Sequence, residues 1–465
     1  MMRSAFLIIF VTLFFFDPIA AHSQAGSPPI PKQLSLAQAE NLLLQRNYGV
    51  IAARYQVEAS RAARLIATYK PNPMITFGME QVPVYSPISG SFPRFFTTNP
   101  DAGANPVYTL RMDQLWERGS KRELRTAIAD TDLKASEALM LNAIRTQLFQ
   151  LRTAFATAAL ARDNLRFAES AERQYAQTEM LTTVKVDQGD MAKVETYRVS
   201  AGRLQYQQAV LQARTSYDQA VRDVLNLLGA SSEDVTRPFA QNPSAQPVAL
   251  RSSDGAVEPQ LPDSLRGEPI DVVATLDDRP LFQTVAELRT MALANRPDVI
   301  AARNQLASAT TSTRLAAAQR IRDVDAGYEY QRVGNDHSLG FVLQVPVFVH
   351  NNQLALFTQA KAQENAVEAQ LKQAEFQAIT DVEKAYQAYG SSRKVLDLYS
   401  AATLSQIDKL QTIAAFSYRE GGSSLLEYLD AQRAYNAAMT AYNQARFDYQ
   451  MSLWQLEQAT GTSLR

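Results

Sequence analysis

No cysteine occurs in the 465 residues, so neither a disulfide nor a lipid-bearing N-terminal cysteine is available to the chain. Histidine is scarce. Of the three, His22 stands beside an N-terminal apolar segment, His337 in a turn and His350 beside a strand end, none with a neighbouring carboxylate cluster. That composition supplies no zinc site and no nucleophile–histidine–acid triad. With no Met or His cluster for a dedicated metal site either, the reading is a non-enzyme without a cofactor. An excess of one charge is also missing: 46 Lys+Arg balance 47 Asp+Glu, which leaves no basic face for nucleic acid. Beyond the first residues, no apolar run reaches the ~18–20 residues of a membrane-spanning helix. If the chain enters a membrane, it does so through strands.

Arg3, the apolar run Ala5–Phe16 and the small residues of Ser23-Gln24-Ala25 follow the order of an export signal, expected over 1–25, with cleavage after Ala21 as the alternative. Past it, long helical periods dominate. From Phe357 to Thr460 the pattern is helical with one interruption, Arg419-Glu420-Gly421-Gly422-Ser423, whose paired glycines mark a turn. The outgoing arm, Asn352 to Ser417, reads as one helix on the order of 100 Å long, which requires lateral partners throughout and implies a coiled-coil bundle.

The same programme occurs twice. The first repeat, 26–230, opens with a helical period from Leu36 to Tyr69, ended by Pro71 and Pro73. Alternating residues then predict a hairpin over 74–82 and 107–115 around a loop from Pro83 to Pro106. A long helix follows from Lys121, with a heptad seam through Leu141, Ile144, Leu148, Leu151, Phe155 and Ala158. Gly189-Asp190 breaks it, Asp190 being placed to cap the return helix, which runs to Gly229. A proline-rich stretch without periodicity, 231–281, reads as an irregular equatorial connector. The second repeat, 282–465, restates Val50-Ile51-Ala52-Ala53-Arg54 as Val299-Ile300-Ala301-Ala302-Arg303. It predicts a second hairpin over 324–333 and 339–347 around the turn Gly334-Asn335-Asp336-His337. Gly189, Glu195 and Gly229 correspond at constant offset to Gly421, Glu427 and Gly461.

Strands with one apolar and one polar face suit a transmembrane barrel. Four cannot close one, and an open edge in lipid leaves backbone groups unsatisfied. Two chains give eight strands, whose bore side chains fill; three give twelve, enough for a water-filled channel, so strand arithmetic favours a trimer. The alternative is two hairpins packed on a soluble helical domain.

The duplicated plan, Asn295-Arg296-Pro297-Asp298-Val299, Val345-Pro346-Val347-Phe348 and above all the run Tyr418 to Ala431 resemble the outer membrane factor (TolC-like) efflux family over nearly the whole mature chain. The resemblance implies a mixed, mainly α fold: a homotrimer whose twelve-stranded barrel in outer-membrane lipid continues into a helical tunnel across the periplasm of a Gram-negative bacterium. It implies a periplasmic adaptor and an inner-membrane pump as partners. The Asn-Arg-Pro-Asp segment is similar to the branch serving resistance-nodulation-division (RND) pumps, including heavy-metal exporters. Carried over by position, Tyr418 matches a gate-bonding tyrosine, and Glu427 and Asp430 match acidic residues at the tunnel's constriction. Ser423 departs from the pattern, standing where an arginine bridges to a neighbouring protomer, with Arg419 one turn away as the expected substitute. Glu427 also fits a capping box with Ser424, so both roles stay open for it. The tips Gly189, Asp190, Gly421, Gly422 and Ser423 are the expected adaptor-docking points. Arg111, Asp113, Glu329 and Gln331 are the expected lumen-facing strand residues. Rival readings are an exit duct for type I protein secretion and a soluble periplasmic coiled-coil adaptor.

Overall fold

The computed structural model describes residues 30–31, 33–81, 106–230, 271–273, 281–349 and 352–464. The expected export signal, most of the loop from Pro83 to Pro106 and nearly all of the connector lie outside them. In chain order the elements are β1 (Gln33–Ser35), α1 (Leu36–Arg46), α2 (Tyr48–Thr68), β2 (Met74–Glu80), β3 (Val107–Trp116), α3 (Lys121–Asp187), α4 (Lys193–Leu227), β4 (Asp271–Val273), α5 (Val285–Asn295), α6 (Pro297–Ala318), β5 (Val324–Val333), β6 (Asp336–Gln344), α7 (Leu354–Leu398), α8 (Ala401–Arg419) and α9 (Leu425–Thr460). No described helix is long and apolar enough to cross a membrane.

Helix α3 is unbroken for 67 residues, about 100 Å at ~1.5 Å per residue. It has lateral partners along its length: α2 and α6 toward the sheet, α4 and α9 toward the opposite end. Its seam buries Leu151, Phe155 and Ala158, which pack with α1 and α4, whereas Leu141 stays exposed. The corresponding arm of the second repeat is not the single helix its sequence predicts. It breaks at Tyr399-Ser400, where Ser400 caps α8 by accepting from the Thr403 amide at 3.3 Å. Left-handed residues start both arms and glycines end them, 69 residues apart from Ser120 to Gly189 but 68 from Gln353 to Gly421. One residue fewer corresponds to about 100° of helix rotation.

A second difference lies in the first helix, which divides at Asn47. The side chain of Asn47 accepts from the Val50 amide at 3.1 Å and donates to the Leu227 carbonyl at 2.8 Å and to Gln147 Oε1 at 3.1 Å. In the second repeat Arg296 occupies the equivalent place between α5 and α6. Its guanidinium, with the residue only 4% exposed, donates to both carboxylate oxygens of Asp298 at 3.1 and 2.7 Å, to Asp381 at 2.9 Å and to the Ala459 carbonyl at 3.4 Å. Each residue therefore ties a short-helix junction to the end of its return helix. The two halves meet through Arg152, which donates to Glu40 of α1 at 2.6 Å and Glu457 of α9 at 2.8 Å, and through β1, which pairs in parallel with β4.

The four longer strands form one antiparallel sheet in the order β2-β3-β5-β6. β6 starts at Asp336 rather than 339, because a two-residue turn, Gly334-Asn335, pairs Val333 with Asp336 and draws His337 into the strand. It ends at Gln344, so Val345–Val347 lie outside it. β2 stops at Glu80 and β3 extends to Trp116.

Margins share one design at every level. The sheet is bounded by β2 and β6. Beside the sheet the helices pack in the order α2-α3-α6-α7, and toward the far end as α4-α3-α9-α8. First-repeat elements thus occupy one margin and second-repeat elements the other. The margin helices keep seams without partners among the described residues: Tyr48, Ala52, Tyr55, Ala59, Ala62 and Ile66 on α2, spaced by fours and threes, and Tyr197, Leu204 and Leu211 on α4, one heptad apart, are all exposed. On the facing margin, Ala355, Ala362, Ala369 and Phe376 of α7 and Leu410, Ile413 and Phe416 of α8 are exposed.

Burial alone would raise the Asp298 carboxyl, but the hydrogen bonds and charge of Arg296 outweigh it and hold the group below its usual range. A depressed folded-state value means this stabilisation is present above the unfolded carboxyl range and lost as pH falls through the lowered value. Arg296→Gln, which strands two partly buried carboxylates, is expected to cost about 3 kcal/mol. Helical circular dichroism through an acid titration should show its unfolding beginning at higher pH than the parent's.

Candidate functional site

The end of the molecule away from the sheet consists of two helical turns built alike. After α3, the Asp190 amide donates to the Lys185 carbonyl at 2.9 Å and the Gly189 amide to Val186 at 3.0 Å. After α8, Gly422 donates to Ser417 at 2.8 Å and Gly421 to Tyr418 at 3.3 Å. Both are Schellman endings, which need a left-handed residue, and Gly189 (φ 84°) and Gly421 (φ 80°) provide it. A Cβ at either would meet nothing within 4 Å, so backbone conformation rather than space selects glycine there.

The following caps differ. Asp190 does not cap α4 as its position predicts; the cap residue is Ala192, without a side-chain bond. The second turn has a complete capping box: the Glu427 amide donates to Ser424 Oγ at 3.3 Å and the Ser424 amide to Glu427 Oε2 at 3.1 Å. Ser423 is half-buried, and its Oγ has no hydrogen-bond partner among the described residues.

Tyr418 is 3% exposed and turns into its own protomer. Its hydroxyl shares a 2.9 Å hydrogen bond with Thr182 Oγ1 of α3, and its ring stacks on Tyr428 at 5.1 Å between centroids and 6° between planes. Burial pushes its phenol above the ordinary value, so the hydroxyl keeps its proton. One turn earlier Thr178 donates to the Tyr428 hydroxyl at 3.3 Å. Two turns earlier Gln174 Oε1 accepts from Gln411 at 3.2 Å and from buried Gln432 at 2.7 Å. Tyr175, Val199, Leu425 and Leu429 complete an apolar core around these bonds. A ladder of neutral hydroxyls and amides therefore fastens the second hairpin to the first. Sequence reading missed Gln174, Thr178 and Thr182. The available signal was the spacing of Tyr175, Thr178 and Thr182 by three and four, one residue out of phase with the Leu141–Ala158 seam, where polar residues on a helix face fix register.

The two carboxylates lie elsewhere on the tip. Both are exposed; Glu427 is engaged by its capping box, and Asp430 meets Arg433 one turn on at 3.3 Å, an exposed pair of small energetic weight. Neither takes part in the bonding of Tyr418. The Arg419 side chain is exposed and makes no ion pair among the described residues.

At the other end, the sheet register places Arg111 opposite Glu329 and Asp113 opposite Gly327. Arg111, Asp113, Glu329 and Gln331 therefore share one face. Arg111 Nε donates to Asp113 Oδ1 at 2.7 Å, and a Cβ on Gly327 would fall 2.2 Å from that oxygen, so glycine there makes room for the carboxylate. The opposite face carries rows such as Phe77, Leu110, Tyr330 and Leu339, exposed from 38% for Tyr330 to 83% for Leu339. Apolar exposure of that extent requires a partner or lipid.

The profile of a family described as outer membrane efflux protein matches residues 288–462. Outer membrane protein TolC of Vibrio cholerae is 28% identical over 151 residues, 30% of this chain and 34% of that protein; the chain thus aligns with about a third of that relative's length. The alkaline protease secretion protein AprF of Pseudomonas aeruginosa is 23% identical over 432 residues, covering 90% of this chain and 83% of AprF. Among solved structures, the outer-membrane channel OprN superposes with a TM-score of 0.69 at 21% identity, covering 92% of this chain and 90% of OprN.

Tyr418→Phe and Thr182→Val each remove one bond of the ladder and should weaken the contact between hairpins by about 1 kcal/mol. Glu427→Ala, which opens the capping box, should destabilise the start of α9 by a similar amount, while Asp430→Ala should leave it intact. Amide hydrogen exchange over residues 418–430 measures both effects.

Proposed function

Because residues 288–462 match the outer membrane efflux protein family, we propose that the chain is a member and forms the outer-membrane channel of a tripartite export system, three copies closing around one duct. The observation that carries this is the agreement of margins. Sheet edges β2 and β6, sheet-side helices α2 and α7, and tip-side helices α4 and α8 all ask for the opposite margin of another copy. Such a contact is head-to-tail and closes when the rotation permits. Three copies bring twelve strands together, with Phe77, Leu110 and Leu339 toward lipid and Arg111, Asp113, Glu329 and Gln331 toward a wet lumen. The helices continue that lumen through the periplasm.

In this reading the hairpin tips form the gate. The Tyr418 ladder holds each second hairpin back against the first, and Glu427 and Asp430 of three copies surround the opening with six carboxylates, favouring cations over anions. A periplasmic adaptor docks at Gly189, Asp190, Gly421, Gly422 and Ser423, and an inner-membrane pump, of RND type, delivers the cargo. The activity is transport rather than catalysis. A second reading, exit duct for a secreted protein, is favoured by the long alignment with AprF; the inner-membrane partner decides between them.

Membrane fractionation tests the proposal: the mature chain should sediment with the outer membrane and leave it in detergent as a trimer, whereas a soluble periplasmic monomer would reject it. Leu339→Arg, on the lipid face, should cost about 2–4 kcal/mol and lower the yield of inserted trimer. Glu427→Ala with Asp430→Ala should reduce cation selectivity and block by multivalent cations in planar bilayers; unchanged selectivity would remove these residues from the gate.

A further inference from the structure

The last carbonyls of a helix have no partner within it and carry the negative end of its dipole. At the end of α8 a cation from the other hairpin meets them. Lys185, in the last turn of α3, donates through Nζ to the carbonyl oxygens of Tyr418 at 3.0 Å and Arg419 at 3.4 Å, and its ammonium lies 4.8 Å from the centre of the Tyr418 ring. Three features of one residue are thus gripped at once: the carbonyl of Tyr418 and the face of its ring by Lys185, and its hydroxyl by Thr182 three positions away on α3. An ammonium is suited to this, having three donors on a flexible stem.

The exposed Arg419 side chain does not contribute; only its backbone carbonyl is used. Ser423 offers no charge, and its buried Oγ lacks a partner among the described residues. Within the protomer the only side-chain cation reaching the backbone of the second tip is therefore, among the described residues, the one on the first hairpin. We propose that Lys185 is the closing cation of the gate, a positioning residue that acts through Tyr418 and the end of α8 to hold the second hairpin shut within its own protomer. This rests on the reading of the chain as a channel gated at its tips. The grip falls on backbone acceptors, which side-chain substitutions in α8 leave in place, and it lies within one chain.

The test is single-channel recording of the full mature chain reconstituted in planar bilayers, comparing the parent, Lys185→Met, Lys185→Gln, Lys185→Arg and the Glu427→Ala, Asp430→Ala double variant. Charge-assisted hydrogen bonds to the α8 carbonyls are lost in Lys185→Met, so its open population should rise roughly tenfold. Lys185→Gln, which keeps a neutral donor, should fall between it and the parent, and Lys185→Arg should restore closure. Cation selectivity should stay at the parent value in all three and change only in the carboxylate variant. A merely structural lysine would give neither this graded order nor rescue by arginine. Parent-like gating in Lys185→Met, with selectivity altered in the carboxylate variant, would overturn the role of Lys185 and leave the channel standing. Absence of any conductance from the parent would overturn both.

Discussion

A strand edge cannot stand open in hydrocarbon, because its backbone donors and acceptors have nothing else to bond. This sheet has two such edges, β2 and β6, and exposes one mainly apolar face. Closing the sheet on itself with four strands is not possible, and the proposed trimer meets the edge requirement with other copies. The helical part carries the same requirement: its marginal seams, tyrosines and alanines on α2 against alanines on α7, are left exposed among the described residues. Duplication explains why the margins match. Each repeat contributes the same elements, and placing them side by side necessarily leaves a first-repeat margin and a second-repeat margin.

The two repeats have nevertheless diverged where they do different work. The first arm is continuous; the second resets its phase at Tyr399-Ser400. The first equatorial junction is held by the neutral Asn47, the second by Arg296 and two carboxylates. At the tips, the second hairpin has a complete capping box and the first has none. The first and last of these differences fall on the second hairpin, the one that Lys185, Thr182, Thr178 and Gln174 of the first take hold of. A fastening made chiefly of hydroxyls and amides supplies about 1 kcal/mol per bond, which in the proposed gate is enough in sum to hold the tip and small enough for a docking partner to undo.

Much of this was legible in the sequence because it rests on local chemistry. Strand alternation is a period of two that no helix imitates, and Gly189 and Gly421 announce turns because few residues accept their backbone conformation. Ser424 and Glu427 form a box whose spacing is its signature. What escaped reading depended on partners distant in the chain or on geometry without a marker residue. At Tyr399-Ser400 the only local marker is Ser400, a cap residue that also occurs inside helices. Lys185 reads as an ordinary last-turn lysine until Tyr418, 233 residues away, is placed beneath it. Asp190 reads as a cap by residue type, but the turn puts Ala192 in that place.

The head-to-tail meeting of opposite margins is the central claim, and the absence of native cysteine makes it directly measurable. Single cysteines introduced at Tyr197 on α4 and at Ile413 on α8, alone and together, can be oxidised in the membrane and the products sized under denaturing conditions. The account requires covalent products up to a closed trimer only when both margins carry a cysteine. Covalent dimers from either single variant would mean that like margins meet, and would contradict it.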